Sequence, residues 1–578
     1  MHLSFGLLRP EKRGRSALAA FVLLLGAGAA VAEDGGRLLP RARSDPVTLP
    51  IHTLHARSPA DNTTFGGGLS SVTLTSDRQS YYTVIKVGAL NFRVALDTAS
   101  ADLWLVSTGC ETESCKKVPR YPLTYQSSTF VSLDGNATEF SAKYADGTAI
   151  SGFVAAETIG VTNLTLPNQT FAVITNSNVS LVDQSSGIMG LGFPRLSSIS
   201  SPSFNSTPFF ATLAREGRLE YPLFGLSLTN NFTGALTLGA IDSAVVANIS
   251  HIGWNKVAEF SPFAAESNVS SYLQWAIPIT GISVNGSQLT PVPTYPNINR
   301  NSLALFDIGA PGIYGPYQDV SRIYSMIDGA RLVDTNGQWI VPCDTTVPMA
   351  FTFGQRNYTI TPTDYIIGPA SGNPNLCLSW PMSLPPSSDG IDWQIGAAFL
   401  RTVYSIFSFG INAKEPPLIG LYPLQNATNS TQPQTPDAIA SFISANSETV
   451  TTTLPNFILP TPTFTTPPYA LNTSVSTTLG GILTSGLANG TYSALFGQKT
   501  TLANTTAMPM ITPPPTVVTL VVTDAGGDVS TTTSSRVMMS VTLGLPSANG
   551  AVSMPIPPMM QALSCILIVW ATLFVQTY

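Results

Sequence analysis

Two phrases of the same design, set roughly two hundred residues apart, constrain this chain more than any other feature. The first is Val94-Ala95-Leu96-Asp97-Thr98-Ala99-Ser100-Ala101-Asp102-Leu103-Trp104, and the second is Leu303-Ala304-Leu305-Phe306-Asp307-Ile308-Gly309-Ala310-Pro311. In each, an apolar strand ends on an aspartate that opens a turn of small residues. Two lobes that each carry one such loop form a pseudo-symmetric pair, so the expectation is a duplicated architecture with a cleft between its halves. Length agrees, because a single core stops growing at roughly 250–300 residues and this chain has 578.

From Val72 onward, short apolar or alternating runs such as Tyr82-Thr83-Val84-Ile85-Lys86-Val87 are separated by Gly, Asn, Asp and Ser, which is the grammar of strands and hairpins. The body is therefore expected to be mainly β, with helices at Pro208 to Arg218 and Gln318 to Gly329. After Pro423 the text turns to Thr, Ser, Pro and Ala without core-forming periodicity, and residues 425–548 read as an unfolded, O-glycosylated stalk.

Charge and cysteine usage narrow the setting. Only 10% of residues are charged and the formal net charge is −6, which leaves no basic field for nucleic acid. Arg9, Lys12, Arg13 and Arg15 precede an apolar run from Ala17 to Ala32 that closes on Ala30-Val31-Ala32, the layout of a secretory signal cleaved after Ala32. Asn-X-Ser/Thr acceptors are dense, at Asn62, Asn136, Asn163, Asn168, Asn178, Asn205, Asn231, Asn248, Asn268, Asn285 and Asn357, with more in the tail. Cys110 with Cys115, and Cys343 with Cys377, read as two disulfides, while Cys565 stands apart in a C-terminal apolar tail. A metal site is the competing reading of the cysteines, but no histidine neighbours either pair, and neither metal nor cofactor is expected.

The Asp-Thr-Ala-Ser phrase followed by Leu103-Trp104, with a second Asp loop downstream, resembles the active-site signature of the pepsin-like aspartic peptidases. Further stretches carry the likeness across the body. Tyr144-Ala145-Asp146-Gly147-Thr148 is similar to the family's flap hairpin, Gly187-Ile188-Met189-Gly190-Leu191-Gly192 and Gly234-Ala235-Leu236-Thr237-Leu238-Gly239 to its glycine-bearing strands, and Trp393-Gln394-Ile395-Gly396 and Ile419-Gly420-Leu421 to its closing strands. The resemblance implies a bilobal β fold and an aspartic endopeptidase in which Asp97 and Asp307 are the catalytic carboxylates. It further implies that Thr98, Ser100 and Gly309 support them, and that Tyr144, Asp146, Gly147, Thr148 and Trp104 form the flap and substrate wall. Trp104 is the expected partner of the Tyr144 hydroxyl. Peptide substrates and pepstatin-like inhibitors are the implied ligands, and a monomer the implied state.

Three positions depart from the family pattern: Ala99 stands for glycine, Ile308 for a hydroxyl residue that braces the two loops, and Ala310 for a hydroxyl that donates to the outer oxygen of Asp307. The last is expected to leave the charged form of Asp307 short of a donor and to extend activity toward weaker acid. Because both aspartates are present, an active peptidase is favoured over a silent relative that binds peptides or wall polymers. No nucleophile elbow accompanies His251, which argues against a serine peptidase.

The chain thus divides into a signal peptide (1–32), a pro-segment or linker without lysine (33–70), an N-terminal lobe (71–270), a C-terminal lobe (271–424), the stalk (425–548) and a C-terminal signal (549–578). In that signal, small residues Asn549-Gly550-Ala551, a spacer and the apolar tail Ala562 to Val575 have the layout of a glycolipid anchor, with Asn549 as attachment residue and the outer face of the plasma membrane or the cell wall as destination.

Overall fold

The computed structural model describes strand 51–53, residues 67–424 apart from 126, 200–207, 230–232, 261–270, 296–300 and 386–388, and beyond these mainly 434–455, 459–460, 486–496, 508–513, 517–523, 529–535 and 541–545. The expected signal peptide, most of the expected pro-segment and Asn549 with the C-terminal signal lie outside the described residues.

Alternating apolar runs pair as hairpins, and the hairpins build two halves of matching design. In the first, Tyr81–Val87 turns through Gly88 into Leu90–Asp97, with Val87 opposite Leu90. Gly88 has φ +59°, and a side chain there would also meet the Glu157 carboxylate, so the tight turn favours glycine. Leu90–Asp97 lies parallel to Ser185–Gly190, with Leu96 opposite Met189 and Asp97 opposite Gly190; Leu103–Val106 pairs antiparallel on the far side, with Ile188 opposite Trp104. The second half repeats the arrangement. Leu303–Phe306 lies parallel to Trp393–Ile395, with Phe306 opposite Ile395, and Ile313–Pro316 pairs antiparallel beyond it, with Tyr314 opposite Gln394. Each aspartate therefore leaves the end of a strand whose neighbour is the middle of three.

Antiparallel pairing of Leu223–Leu228 with Val403–Ser408 continues the large sheet across the seam between the halves. Aromatic packing seals it: Phe224 stacks on Phe407 at 4.8 Å, and Trp275 meets Phe193 at 4.3 Å and Phe409 at 4.9 Å. Each fully buried phenylalanine contributes roughly 1.5–3 kcal/mol, and the Trp275 indole satisfies its N–H by donating to the Leu191 carbonyl at 3.0 Å. Helices Phe209–Arg215 and Tyr317–Tyr324 occupy the two expected windows, each ending earlier than expected. Both disulfides are present, Cys110–Cys115 and Cys343–Cys377.

The stretch 425–548 requires a correction, because several of its described parts dock on the body, while Val517–Thr523 and Val529–Ser535 pair with each other as a separate hairpin. Helix Pro436–Asn446 starts at Thr435, whose hydroxyl accepts from the Ala438 amide, and buries Ile439 and Ile443, four apart on one face. Further on, the Leu495 and Phe496 amides donate to the Glu415 carboxylate at 3.1 and 2.9 Å, Phe496 packs edge-on against Trp254, and Met510–Ile511 pairs with Ile241–Asp242. Composition hid these anchors: a few apolar residues among many Ser and Thr are diluted in any window average. Ile439→Ala is expected to raise amide exchange across Pro436–Asn446 by at least tenfold, since truncating a buried isoleucine costs about 2–5 kcal/mol. Hydrogen exchange with mass spectrometry checks it, and unchanged protection would mean that the helix is held by something other than this face.

Candidate active site

Asp97 and Asp307 end their strands at the seam and are 9% and 4% exposed. Their loops hold them in parallel ways. The Ala99 amide donates to Asp97 Oδ1 and the Gly309 amide to Asp307 Oδ1, each at 2.8 Å. A Cβ placed on Gly309 would lie 2.8 Å from Asp97 Oδ1 and 3.1 Å from Asp307 Oδ1, so the two inner oxygens converge on one point that only glycine leaves open. Thr98 ties the loops together: its hydroxyl donates to the Phe306 carbonyl at 2.8 Å and accepts from the Ile308 amide at 3.0 Å.

Over this point reaches the hairpin of Glu139–Lys143 and Ala149–Val161. Its tip closes through Tyr144 N–H to the Thr148 carbonyl (2.8 Å) and Gly147 N–H to the Tyr144 carbonyl (3.0 Å), with Gly147 at φ +86°. Asp146 caps the turn by accepting from the amide and hydroxyl of Thr148 at 2.8 and 2.6 Å. Trp104, buried in the first half, donates its indole N–H to the Tyr144 hydroxyl at 2.6 Å. Burial, and then the charge of Asp97, push the Tyr144 phenol well above its ordinary range, so it stays a neutral hydroxyl.

A family model of eukaryotic aspartyl proteases matches residues 80–414. The chain belongs to that family. An aspartic protease of Phaffia rhodozyma is 30% identical over 333 residues, covering 56% of this chain and 73% of the relative. The major aspartyl peptidase 1 of Cryptococcus neoformans is 27% identical over 354 residues, covering 59% and 69%. Cathepsin E of Mus musculus is 28% identical over 345 residues, covering 57% and 78%. The protein is a pepsin-like aspartic endopeptidase.

Against the family pattern, the peptidase absorbs its three departures differently. Ala99 lies outside the left-handed region, and its methyl packs against a cluster that includes Ala101, Leu303 and Leu305. Ile308 gives up a hydroxyl and is wholly buried in the main core. Ala310 corrects the sequence reading. The outer oxygen of Asp97 takes its hydrogen bond from Ser100 Oγ at 2.5 Å, and the outer oxygen of Asp307, with no hydroxyl at Ala310, takes one from Gln394 Nε2 at 2.7 Å. It does not lack a donor.

Gln394 escaped the sequence reading, although the signal was present: a polar side chain between Trp393 and Ile395, both fully buried, in a strand of period two. Burial and the charge of Asp97 push the Asp307 carboxyl well above the usual carboxylate range, opposed by the bonds from Gln394 and the Gly309 amide. Asp102, following Ser100 and Ala101 in the first loop, accepts from the Ser197 hydroxyl and from the Ser198 amide at 2.7 Å, and burial lifts it to about 6.

Thr98→Val keeps the volume and removes both bridging bonds, leaving the Phe306 carbonyl and Ile308 amide without that partner at a cost of about 1–3 kcal/mol each. A lower denaturation midpoint and a kcat reduced at least tenfold are expected, with Thr98→Ser close to wild type. Equal activity in Thr98→Val and wild type would show that the loops do not depend on this hydroxyl.

Proposed function

We propose that Asp97 and Asp307 are the catalytic carboxylates of this endopeptidase and that it works in acid on peptide substrates held under the Tyr144 hairpin. The convergence of their inner oxygens beside Gly309 carries the reading. Two carboxylates this close and this buried cannot both ionise, so the pair shares one proton and titrates as a unit. The upward shift of Asp307 favours it as the protonated member. A water lodged between the inner oxygens gives a proton to ionised Asp97 as its oxygen attacks the scissile carbonyl carbon, while Asp307 gives its proton to the carbonyl oxygen. The resulting gem-diol collapses as Asp97 passes its proton to the leaving nitrogen and Asp307 takes back a proton from one hydroxyl, so the C–N bond breaks, the starting protonation of the pair is restored and no covalent intermediate forms. Tyr144, held by Trp104, excludes water and positions the peptide.

Asn at either aspartate keeps the shape and removes the shared proton. Both Asp97→Asn and Asp307→Asn should lose at least a thousandfold in kcat on a denatured protein substrate while unfolding at the wild-type temperature. Retention of a tenth of wild-type kcat in either would refute the assignment, as would indifference of the wild type to pepstatin.

The buried carboxyls favour an acidic setting. Besides Asp102, burial lifts Asp319 to about 6 and raises Asp242, Asp392 and Glu415. A folded pKa above the unfolded value means that the folded state binds more protons. The stability these groups contribute is then complete below about pH 4 and is lost as pH rises through their folded values. The denaturant midpoint should therefore fall between about pH 4 and about pH 7, and a midpoint that rises over that interval would contradict the shifts.

For the flanks we infer secretion, glycosylation and a lipid anchor at Asn549. The sequon asparagines 136, 163, 168, 178, 248, 285 and 357 are all exposed, as glycan acceptors require, and no helix among the described residues is long and apolar enough to cross a membrane. Phosphatidylinositol-specific phospholipase C should release the protein from intact cells, and a peptide containing Trp570 recovered from the mature protein would exclude the anchor.

A further inference from the structure

We infer that Gln394 is a positioning residue for Asp307, supplying from the neighbouring strand the hydrogen bond that the loop hydroxyl supplies in the other half. The inference rests on the assignment of Asp307 as a catalytic carboxylate.

The two halves can be compared residue by residue through strand register. Leu96 pairs with Met189 and Phe306 with Ile395, so Ile188 and Gln394 occupy equivalent places, each on the middle strand and each opposite an aromatic residue, Trp104 or Tyr314. In the first half the loop carries a hydroxyl, Ser100, and the strand an apolar side chain, Ile188. The second half exchanges the two chemistries: the loop carries Ala310, and the strand an amide whose Nε2 donates to Asp307 Oδ2 at 2.7 Å. The donor has moved from loop to strand, and the oxygen it serves is the same.

The amide is well held. Trp393 and Ile395 are locked in the core on the other face of the strand, and the Asp307 amide donates to the Ile395 carbonyl at 3.0 Å, so strand and carboxylate share one frame. Facing Asp307 are Asp97 across the pair and Tyr314 from strand Ile313–Pro316, while Tyr144 on the hairpin faces Asp97. Burial keeps both tyrosines neutral, so neither adds a charge beside the pair.

The chemical consequence has a definite sign. Activity is lost on the alkaline side when the shared proton leaves and Asp307 ionises; an N–H directed at its outer oxygen stabilises that charged form and lowers the pH at which this happens. Without the amide the alkaline limb moves upward.

The test compares pH profiles of kcat/KM for the purified wild-type protein, Gln394→Met, Gln394→Ile (the residue of the equivalent position) and Gln394→Met combined with Ala310→Ser. The single variants should shift the alkaline limb up by about one pH unit, since a hydrogen bond to a charged group is worth roughly that much. The combined variant should bring it back, because a serine at position 310 stands at the offset from Asp307 at which Ser100 stands from Asp97. A limb unmoved in whichever single variant folds overturns the inference, and a limb that stays raised in the combined variant overturns the exchange of donors. Asp307→Asn run alongside separates the two levels: if it is inactive while the Gln394 limb is unmoved, the catalytic assignment stands and the role of Gln394 falls; if it is active, the assignment itself falls.

Discussion

Two carboxyl groups, each less than a tenth exposed, meet at the seam of two half-molecules, and repulsion between like charges in a medium of low dielectric governs everything around them. Such a pair persists only if one proton is retained and the remaining lone pairs are satisfied. The backbone amides of Ala99 and Gly309 serve the inner oxygens, and Ser100 and Gln394 the outer ones. None of these bonds helps unless the two loops hold their separation. That separation is set by Thr98, which reaches into the other loop as donor and acceptor at once.

The halves share a backbone plan but not a chemistry. Each aspartate leaves a strand that is parallel to a middle strand, and the register is the same on both sides. Side chains have diverged within that frame: Ile308 has given its hydroxyl up to core packing, leaving the bracing to Thr98, and Ala310 has ceded its donor to Gln394. Substitutions that read as losses along the chain are thus partly offset by residues far away in sequence. Hydrogen bonds of a buried charge demand a partner, and the frame offers more than one place from which to supply it.

The C-terminal stretch joins the same economy of anchors. Ile439 and Ile443 seat one helix, while Glu415 accepts two backbone amides from Leu495 and Phe496 and the hydroxyl of Tyr221. A buried carboxylate that organises a strap of backbone needs those amides as much as the strap needs it, because neither has water to turn to.

By itself the sequence determined the class of fold, the duplicated aspartate loops, both cysteine pairs and the two helical windows, because these depend on local periodicity, turn chemistry and short motifs, and its resemblance to the family implied the hairpin bearing Tyr144. Only the tertiary structure decided which side chains complete the pair of carboxylates. Gln394 lies far along the chain from Asp307 and reaches it only because Trp393–Ile395 is laid parallel to Leu303–Phe306. Nor was the docking of 436–446 or 486–496 legible in Ser- and Thr-rich text, since a sparse set of apolar residues acquires meaning only when a complementary surface stands opposite. Hydrogen bonds and packing join what folding brings near, and nearness across a sheet is not written in sequence distance.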